Sequence, residues 1–122
     1  MAEQTFHQIL HSKMDEYAHL VYRLTKMFPK EERYGVTSQI RRSSLSVILN
    51  YTEGYARGKY KIKLYINFLE TSYGSLQESK YLLDFSLKEH YLTQENFKVA
   101  HTLADEIGAM LWKTISTNKN NS

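Results

Sequence analysis

The sequence of 122 residues contains no cysteine, one proline and five glycines, and no apolar run long enough to span a membrane. The lack of cysteine excludes disulfides, thiol catalysis and zinc sites built on thiolates. The chain also lacks a Gly-x-Ser-x-Gly elbow, a Walker phosphate loop and a Gly-x-Gly-x-x-Gly turn, the usual signatures of nucleophilic catalysis and nucleotide binding. These absences favour a cytoplasmic protein that is not an enzyme and uses no cofactor.

Apolar residues recur at intervals of three and four, which is typical of amphipathic helices. The pattern predicts four helices, and Thr93 is a suitable N-cap for the last one. Their apolar stripes run from Phe6 to Phe28 just before Pro29, from Val36 to Gly58, from Ile62 to Leu87 and from Phe97 to Thr114. Short connections between the helices predict an all-α fold, an antiparallel up-down-up-down four-helix bundle. We therefore expect a single domain at 1–116 and a disordered polar tail at 117–122.

The second and third helices carry apolar residues on two faces. On a helical wheel one group lies away from the predicted core face of each helix. Because a helix that is apolar on both sides must be covered on both sides, the pattern predicts a homo-oligomer. The alternative is that these are isolated apolar surface residues, which are common. The predicted oligomer interface consists of Leu45, Leu49, Leu64, Phe68, Leu82 and Phe85.

Positive charge is concentrated between Thr37 and Lys63, where six of the sixteen Lys and Arg residues lie with a single acid, Glu53. Cations at this density can neutralise phosphates, and interleaved tyrosines offer stacking surfaces for unpaired bases. The segment therefore predicts binding of RNA or DNA, mainly through the phosphate backbone. The alternative is a solvated corner whose tyrosines pack inward. The predicted nucleic-acid-binding residues are Arg41, Arg42, Arg57, Lys59, Lys61 and Lys63.

The first helix carries His7, His11, Asp15 and His19 at four-residue steps, so these side chains can share one side of the helix. A His pair at this spacing can hold zinc, which leaves a metal-dependent enzyme as an alternative. Such a row beside core positions is more often a solvated edge. Glu16 and His19 also match the Glu-x-x-His spacing of di-iron bundles, but no second copy of the motif occurs. We predict no metal site.

Several motifs give the chain a family resemblance. They are Phe28-Pro29, Glu32, Tyr34-Gly35, Thr37-Ser38-Gln39-Ile40-Arg41-Arg42, Ser46, Asn50, Glu53-Gly54-Tyr55-Ala56-Arg57, Phe68-Leu69 and Gly74-Ser75-Leu76-Gln77-Glu78. With them the sequence resembles the bacterial four-helix-bundle proteins encoded in intervening sequences of 23S ribosomal RNA genes. A more distant similarity is to the accessory variability proteins of diversity-generating retroelements.

The resemblance implies a bundle that assembles into a ring, typically a pentamer, with no known catalytic activity and a suspected role in nucleic-acid binding. The distant branch implies an alternative, a protein-interaction adaptor that binds a reverse transcriptase. Arg41, Arg42 and Arg57 match the family's basic positions, and Asn50 and Glu53 match its polar pair on the second helix. The chain departs from the family at Ile48, where a proline is usual, so we expect the second helix to lack a proline kink.

Overall fold

A computed structural model describes residues 4–58 and 60–121 of the chain. This part contains four α-helices, a short 3₁₀ turn at Lys30–Glu32 and no strand. Helices that follow one another along the chain pack side by side, and the last packs against the first, so α1 lies diagonally opposite α3 and α2 opposite α4. The predicted four-helix all-α architecture is confirmed. The helices are α1 Phe6–Thr25, α2 Val36–Gly58, α3 Ile62–Lys88 and α4 Gln94–Asn120.

Side-chain caps define the starts of α1 and α4. Thr5 Oγ1 accepts a hydrogen bond from the Gln8 amide at 3.1 Å, and the Thr5 amide donates to Gln8 Oε1 at 2.8 Å. This reciprocal pair is a capping box. Thr93 Oγ1 accepts from the Asn96 amide at 3.0 Å, which confirms the predicted cap of α4. Both helices therefore begin where the sequence places a threonine before an apolar stripe.

The end of α1 differs from the prediction. The helix stops at Thr25, three residues before the last member of its apolar stripe. Thr25 Oγ1 donates to the Val21 carbonyl at 2.7 Å, and Phe28 follows in the connection with its side chain still buried in the core. After Thr25 the backbone tightens, since the amides of Lys26, Met27 and Phe28 donate to carbonyls three residues earlier, and Pro29 cannot continue a helix. Apolar spacing locates the core contact of Phe28 but not the helix end.

The predicted stripes meet in one core, but the buried face of α3 is rotated from the predicted one. The spacing from Ile62 to Leu87 predicts Tyr73, Lys80 and Leu87 on the core face of α3, but the fully buried residues there are their preceding neighbours Ser72, Ser79 and Ser86. Of these, Ser72 lies against α2 and Ser79 bonds to Tyr17 of α1. The largest fully buried side chains are Leu10, Met14, Tyr17, Val21, Ile40, Tyr51, Leu69, Leu76, Leu83, Ile107, Leu111 and Ile115.

The close approach of α2 and α3 depends on glycine as well as serine. Ser72 Oγ donates directly to the Val47 carbonyl at 2.6 Å, so the two backbones are within reach of one short side chain. A Cβ at Gly54 would lie 2.5 Å from the Cβ of Phe68, nearer than real side chains approach. The α2–α3 pair is consequently the most extensively packed pair of helices in the bundle.

The predicted disordered tail is corrected over most of its length, because α4 continues to Asn120. Asn118 Nδ2 donates to the Thr114 carbonyl at 2.8 Å, and Lys119 Nζ lies 2.9 Å from Glu70 Oε2 on α3. The last predicted tail residue, Ser122, lies outside the described residues. Within the described part of the chain, none of the helices is both long and apolar enough to cross a bilayer.

Candidate nucleic-acid interface

The turn between α2 and α3 is tight, and we refer to residues 54–58 and 60–65 as the corner. The Lys61 amide donates to the Gly58 carbonyl at 2.7 Å, and α3 begins at the next residue, Ile62. A Cβ at Gly58 would lie 2.9 Å from the backbone nitrogen of Tyr65, so glycine is needed for this approach. The predicted site residue Lys59 lies outside the described residues.

Three of the predicted cations, Arg57, Lys61 and Lys63, lie in the corner and are exposed. Arg57 Nη1 donates to Glu53 Oε1 at 2.5 Å, and its guanidinium carbon lies 5.6 Å from the centroid of the Phe68 ring. Among the described residues, neither Lys61 nor Lys63 forms an ion pair. The two lysines therefore present positive charge to solvent.

The three tyrosines of the corner have different environments. Tyr60 is 89% exposed, so its ring faces solvent beside Lys61. Tyr55 is half-buried and stacks on the His7 ring with centroids 3.7 Å apart. Tyr65 is buried, and this burial raises the pKa of its hydroxyl. Tyr65 therefore fits the alternative in which the tyrosines pack inward, whereas Tyr60 offers an accessible stacking surface.

Arg41 and Arg42 lie at the other end of the bundle. Sixteen residues separate Arg41 from Arg57 along α2, which corresponds to about 24 Å at ~1.5 Å per residue. Arg41 Nε donates to Thr25 Oγ1 at 2.8 Å, and its guanidinium carbon lies 4.6 Å from the centroid of the Tyr22 ring, so it joins α2 to the end of α1. Within one chain, the predicted set of cations is therefore divided between the two ends.

Arg42 belongs to a polar seam between α2 and α3. It donates to Glu78 Oε2 on α3 and to Gln39 Oε1 on its own helix. One turn further along, Ser46 Oγ and Ser75 Oγ are 2.7 Å apart across the same helix pair. We call Arg42, Ser46 and Asn50 of α2 and Ser75 and Glu78 of α3 the outer seam. It fixes the register of the two most closely packed helices.

The predicted polar pair, Asn50 and Glu53, is divided between two contacts. Asn50 Nδ2 donates to both the carbonyl and the hydroxyl of Ser46 at 2.9 Å, so it belongs to the outer seam. Glu53 pairs with Arg57 at the corner. Asn50 therefore holds Ser46, which makes the contact with Ser75 of α3, while Glu53 lowers the net charge of the cationic corner.

The predicted interface residues are unequally exposed. Leu49 on α2 is 61% exposed and is the one clear apolar projection among them. Phe68 is partly covered by Gly54 and Arg57 of its own chain. Leu82 packs in part against the core. Leu45, Leu64 and Phe85 are half-buried. The chain thus covers part of this surface by itself and leaves Leu49 on the outside.

The histidine row on α1 is engaged in separate contacts. His7 Nδ1 is 2.7 Å from the Tyr51 hydroxyl, and His11 Nε2 is 3.2 Å from Thr52 Oγ1. His19 Nε2 lies 3.3 Å from Asp15 Oδ1. In the described residues, no group of three or more His, Asp or Glu side chains is arranged to hold a metal ion. Two of the three histidines therefore connect α1 to α2.

The antiparallel topology adds residues that the sequence analysis missed. The start of α1 and the end of α4 lie at the same end of the bundle as the corner, since neighbouring helices alternate in direction. There Lys113 Nζ lies 5.8 Å from the centroid of the Phe6 ring, and both residues line a groove with Thr117 and Asn118. The corner is thereby one part of a larger end surface. The bundle topology was the signal that could have pointed to Phe6 and Lys113.

Comparison with known proteins agrees with this architecture. The family model described as 23S rRNA-intervening sequence protein matches residues 8–113, which is most of the chain. The chain belongs to this family. A crystal structure of a protein of unknown function from the S23 ribosomal protein family of Bacteroides thetaiotaomicron has the same fold, with a TM-score of 0.83 and 23% sequence identity over 92% of this chain and 99% of that one. No curated protein matches.

Family membership gives the outer seam a clear interpretation. Four of the motif residues that suggested the 23S rRNA-intervening sequence protein family, Arg42, Ser46, Ser75 and Glu78, form the polar contacts between α2 and α3. In this member α2 is continuous through Ile48, which packs partly against the core. The motif therefore specifies the packing of the helix pair.

Proposed function

We propose that the protein is a non-enzymatic nucleic-acid-binding bundle that contacts the phosphate backbone of RNA or DNA with the corner. The observation that carries the proposal is the pair Lys61 and Lys63, exposed and outside every ion pair of the described residues. Arg57 lies beside them, and the exposed Tyr60 ring can stack on an unpaired base. Lys113 adds a cation from α4 to the same end surface.

The structural roles of Arg41 and Arg42 revise the proposed binding set. Arg41 contacts the end of α1, and Arg42 pairs with Glu78 in the outer seam. A cation paired with a carboxylate releases fewer counterions from a phosphate than one without a partner. We therefore assign the larger part of phosphate binding at the corner to Lys61 and Lys63, with a smaller part from Arg57.

We further propose that copies of the chain associate through the outward faces of α2 and α3, with Leu49 at the centre of the contact. The exposure of Leu49 supports this, because burying a large apolar side chain against a partner lowers the free energy of the complex. A ring built in this way repeats the corner in every copy. Repeated cationic corners raise the local potential that attracts a polyanion.

The test is fluorescence anisotropy of labelled single-stranded RNA and duplex DNA over a series of salt concentrations. Log affinity should fall linearly with log salt, and the double variant Lys61→Ala and Lys63→Ala should lower the magnitude of the slope by about 1.4 to 1.8, since each phosphate contact contributes about 0.7 on single strands and 0.9 on B-DNA. The matched control is Lys88→Ala with Lys98→Ala, which removes the same charge from the opposite end. Equal slopes for both double variants, or salt-independent binding, would contradict the proposal.

A further inference from the structure

A second cationic surface lies at the end of the bundle opposite the corner. The connection from α1 to α2 folds over a groove of about 190 Å³, which we call the α1–α2 groove. Lys26, Lys30, Arg33 and Arg41 line it, and no acidic residue does. None of these four cations forms an ion pair with another described residue. A concave surface with four such cations is suited to an anion.

The arrangement of Arg41 leaves donors available in the α1–α2 groove. Its Nε donates to Thr25 Oγ1 and its Nη2 lies 3.5 Å from the Tyr22 carbonyl. A guanidinium has five N–H donors, so these two contacts leave three. The contacts also hold the planar group in one orientation, which reduces the entropy that binding would cost. Arg41 thus forms a preorganised wall of the groove.

The helix ends at the α1–α2 groove do not neutralise its charge. α1 ends at Thr25 and α2 begins at Val36, so a partial negative and a partial positive helix end meet here and largely offset each other. Thr37, in the first turn of α2, lines the groove and is 6% exposed, yet its Oγ1 has no hydrogen-bond partner in the structure. A buried hydroxyl without a partner is unusual, and a small shift would let it bond to an anion in the groove.

Two acids of the connection lie close in sequence but outside the lining of the α1–α2 groove. Glu32 accepts hydrogen bonds from the Tyr91 hydroxyl at 2.7 Å and from the Val36 amide at 3.4 Å. Its carboxylate is therefore held at the start of α2 by other partners. Glu31 is exposed on the 3₁₀ turn. Both weaken the attraction of the groove for an anion without occupying it.

We propose that the α1–α2 groove is a binding site for a phosphate group. The site is separate from the corner and does not depend on it. The expected ligand is a single phosphate, either free or as part of a nucleotide chain. Lys30 and Arg33 reach it from the connection, and Arg41 reaches it from α2.

Isothermal titration calorimetry with inorganic phosphate, at an ionic strength held constant with chloride, tests the proposal. Wild-type protein should show saturable binding. The double variant Lys30→Gln and Arg33→Gln should bind at least about tenfold more weakly, because it loses two charge-assisted contacts. The control Lys61→Gln with Lys63→Gln removes equal charge at the corner and should leave the phosphate dissociation constant within about twofold, since screening isolates charges at that distance. No saturable binding, or equal weakening in both double variants, would overturn the proposal.

Glu32→Gln should change the affinity for phosphate in the opposite direction to Lys30→Gln with Arg33→Gln. The single amide oxygen of Gln can accept from the Val36 amide in place of Oε1, and its NH2 group can donate to the Tyr91 hydroxyl, which now accepts instead of donating. A negative charge near the α1–α2 groove disappears, so phosphate should bind more tightly. Weaker binding by this variant would also overturn the proposal.

A competition experiment identifies the source of the phosphate, and it uses the double variant Lys61→Gln and Lys63→Gln so that the corner does not contribute. If a 5′-phosphorylated oligonucleotide displaces phosphate and its 5′-hydroxyl counterpart does not, the ligand is a terminal phosphate. Equal displacement by its 5′-hydroxyl counterpart identifies the backbone, and displacement by neither identifies free phosphate.

Discussion

Tyr17 is the clearest example of a single polar group that the core accommodates. Its side chain is fully buried, and its hydroxyl lies 2.7 Å from Ser79 Oγ. Because Ser79 Oγ donates to the Leu76 carbonyl at 2.8 Å, the Tyr17 hydroxyl is the donor in its own bond to Ser79. Burial raises the pKa of Tyr17 to about 12. The neutral hydroxyl is thus required in the folded state.

Replacing Tyr17 with Phe should lower the free energy of unfolding by about 1 kcal/mol near neutral pH, the usual net worth of one hydrogen bond. The folded pKa is higher than that of the unfolded chain, near 10, so the wild-type contribution is complete below pH 10 and is lost as pH rises towards 12. Urea denaturation at several pH values should show the difference between the two proteins narrowing above pH 10. A difference that does not change with pH would contradict the assignment.

Arg41 and Arg42 are adjacent in sequence but should respond differently to lysine. Arg41→Lys removes the Nε–H that bonds Thr25 Oγ1, and a lysine ammonium cannot reproduce the guanidinium plane over Tyr22. We expect a loss of about 1 kcal/mol in the free energy of unfolding. Arg42→Lys keeps a cation near the exposed Glu78 and should cost less than ~0.5 kcal/mol. Thermal unfolding of the two variants measures the contrast, and equal losses would refute it.

Among the elements, the α2–α3 pair is distinguished by how closely its helices approach. Gly54 and Gly58 are four residues apart and face Phe68 and Tyr65 at distances that exclude a side chain. The Gly-x-x-x-Gly spacing is present in the sequence, but without knowledge of the partner helix it is equally consistent with a helix stop at Gly58. The buried serines of α3 could not be predicted from the sequence either, because a hydropathy pattern counts serine as polar and places it on the surface.

Gly54→Ala and Gly58→Ala should each destabilise the protein by roughly 1–3 kcal/mol, because the added methyl group forces α2 and α3 apart. Gly74→Ala is the matched control. A Cβ at this exposed α3 position meets no atom within 4 Å, so the higher helix propensity of alanine should stabilise the protein by up to ~1 kcal/mol. Chemical denaturation would contradict the explanation if all three variants changed stability in the same direction.

At the scale of the whole molecule, the sequence was sufficient for the architecture but not for the grouping of charges. Four apolar stripes and the predicted Thr93 cap locate the helices, whereas the Thr5 cap of α1 became apparent only in the structure. The positions of charged residues in the sequence do not show that Arg42 pairs with Glu78 or that Lys113 lies on the same end surface as the corner. Such pairings depend on which helices are neighbours and on their rotation, which apolar spacing specifies only coarsely. The candidate site was therefore predicted in composition and only partly in position.

The proposed self-association makes a prediction for the molecule as a whole. Light scattering coupled to size exclusion should give a mass that is a multiple of the 14.4 kDa chain. Leu49→Glu should reduce this mass, since a charge cannot be buried unpaired in an apolar contact. Val99→Glu alters a similarly exposed apolar residue on α4 and should leave the mass unchanged. A wild-type mass of one chain would refute self-association.

The close packing of α2 and α3 also has a consequence for how the chain reaches its native state. The two helices are consecutive and joined by a very short turn, so their contacts require little loop closure and can form early in folding. α1 and α4 must then dock onto a hairpin that already exists. In native-state hydrogen exchange, the backbone amides around Val47 and Ser72 should be the last to be replaced by deuterium, after those at both chain termini.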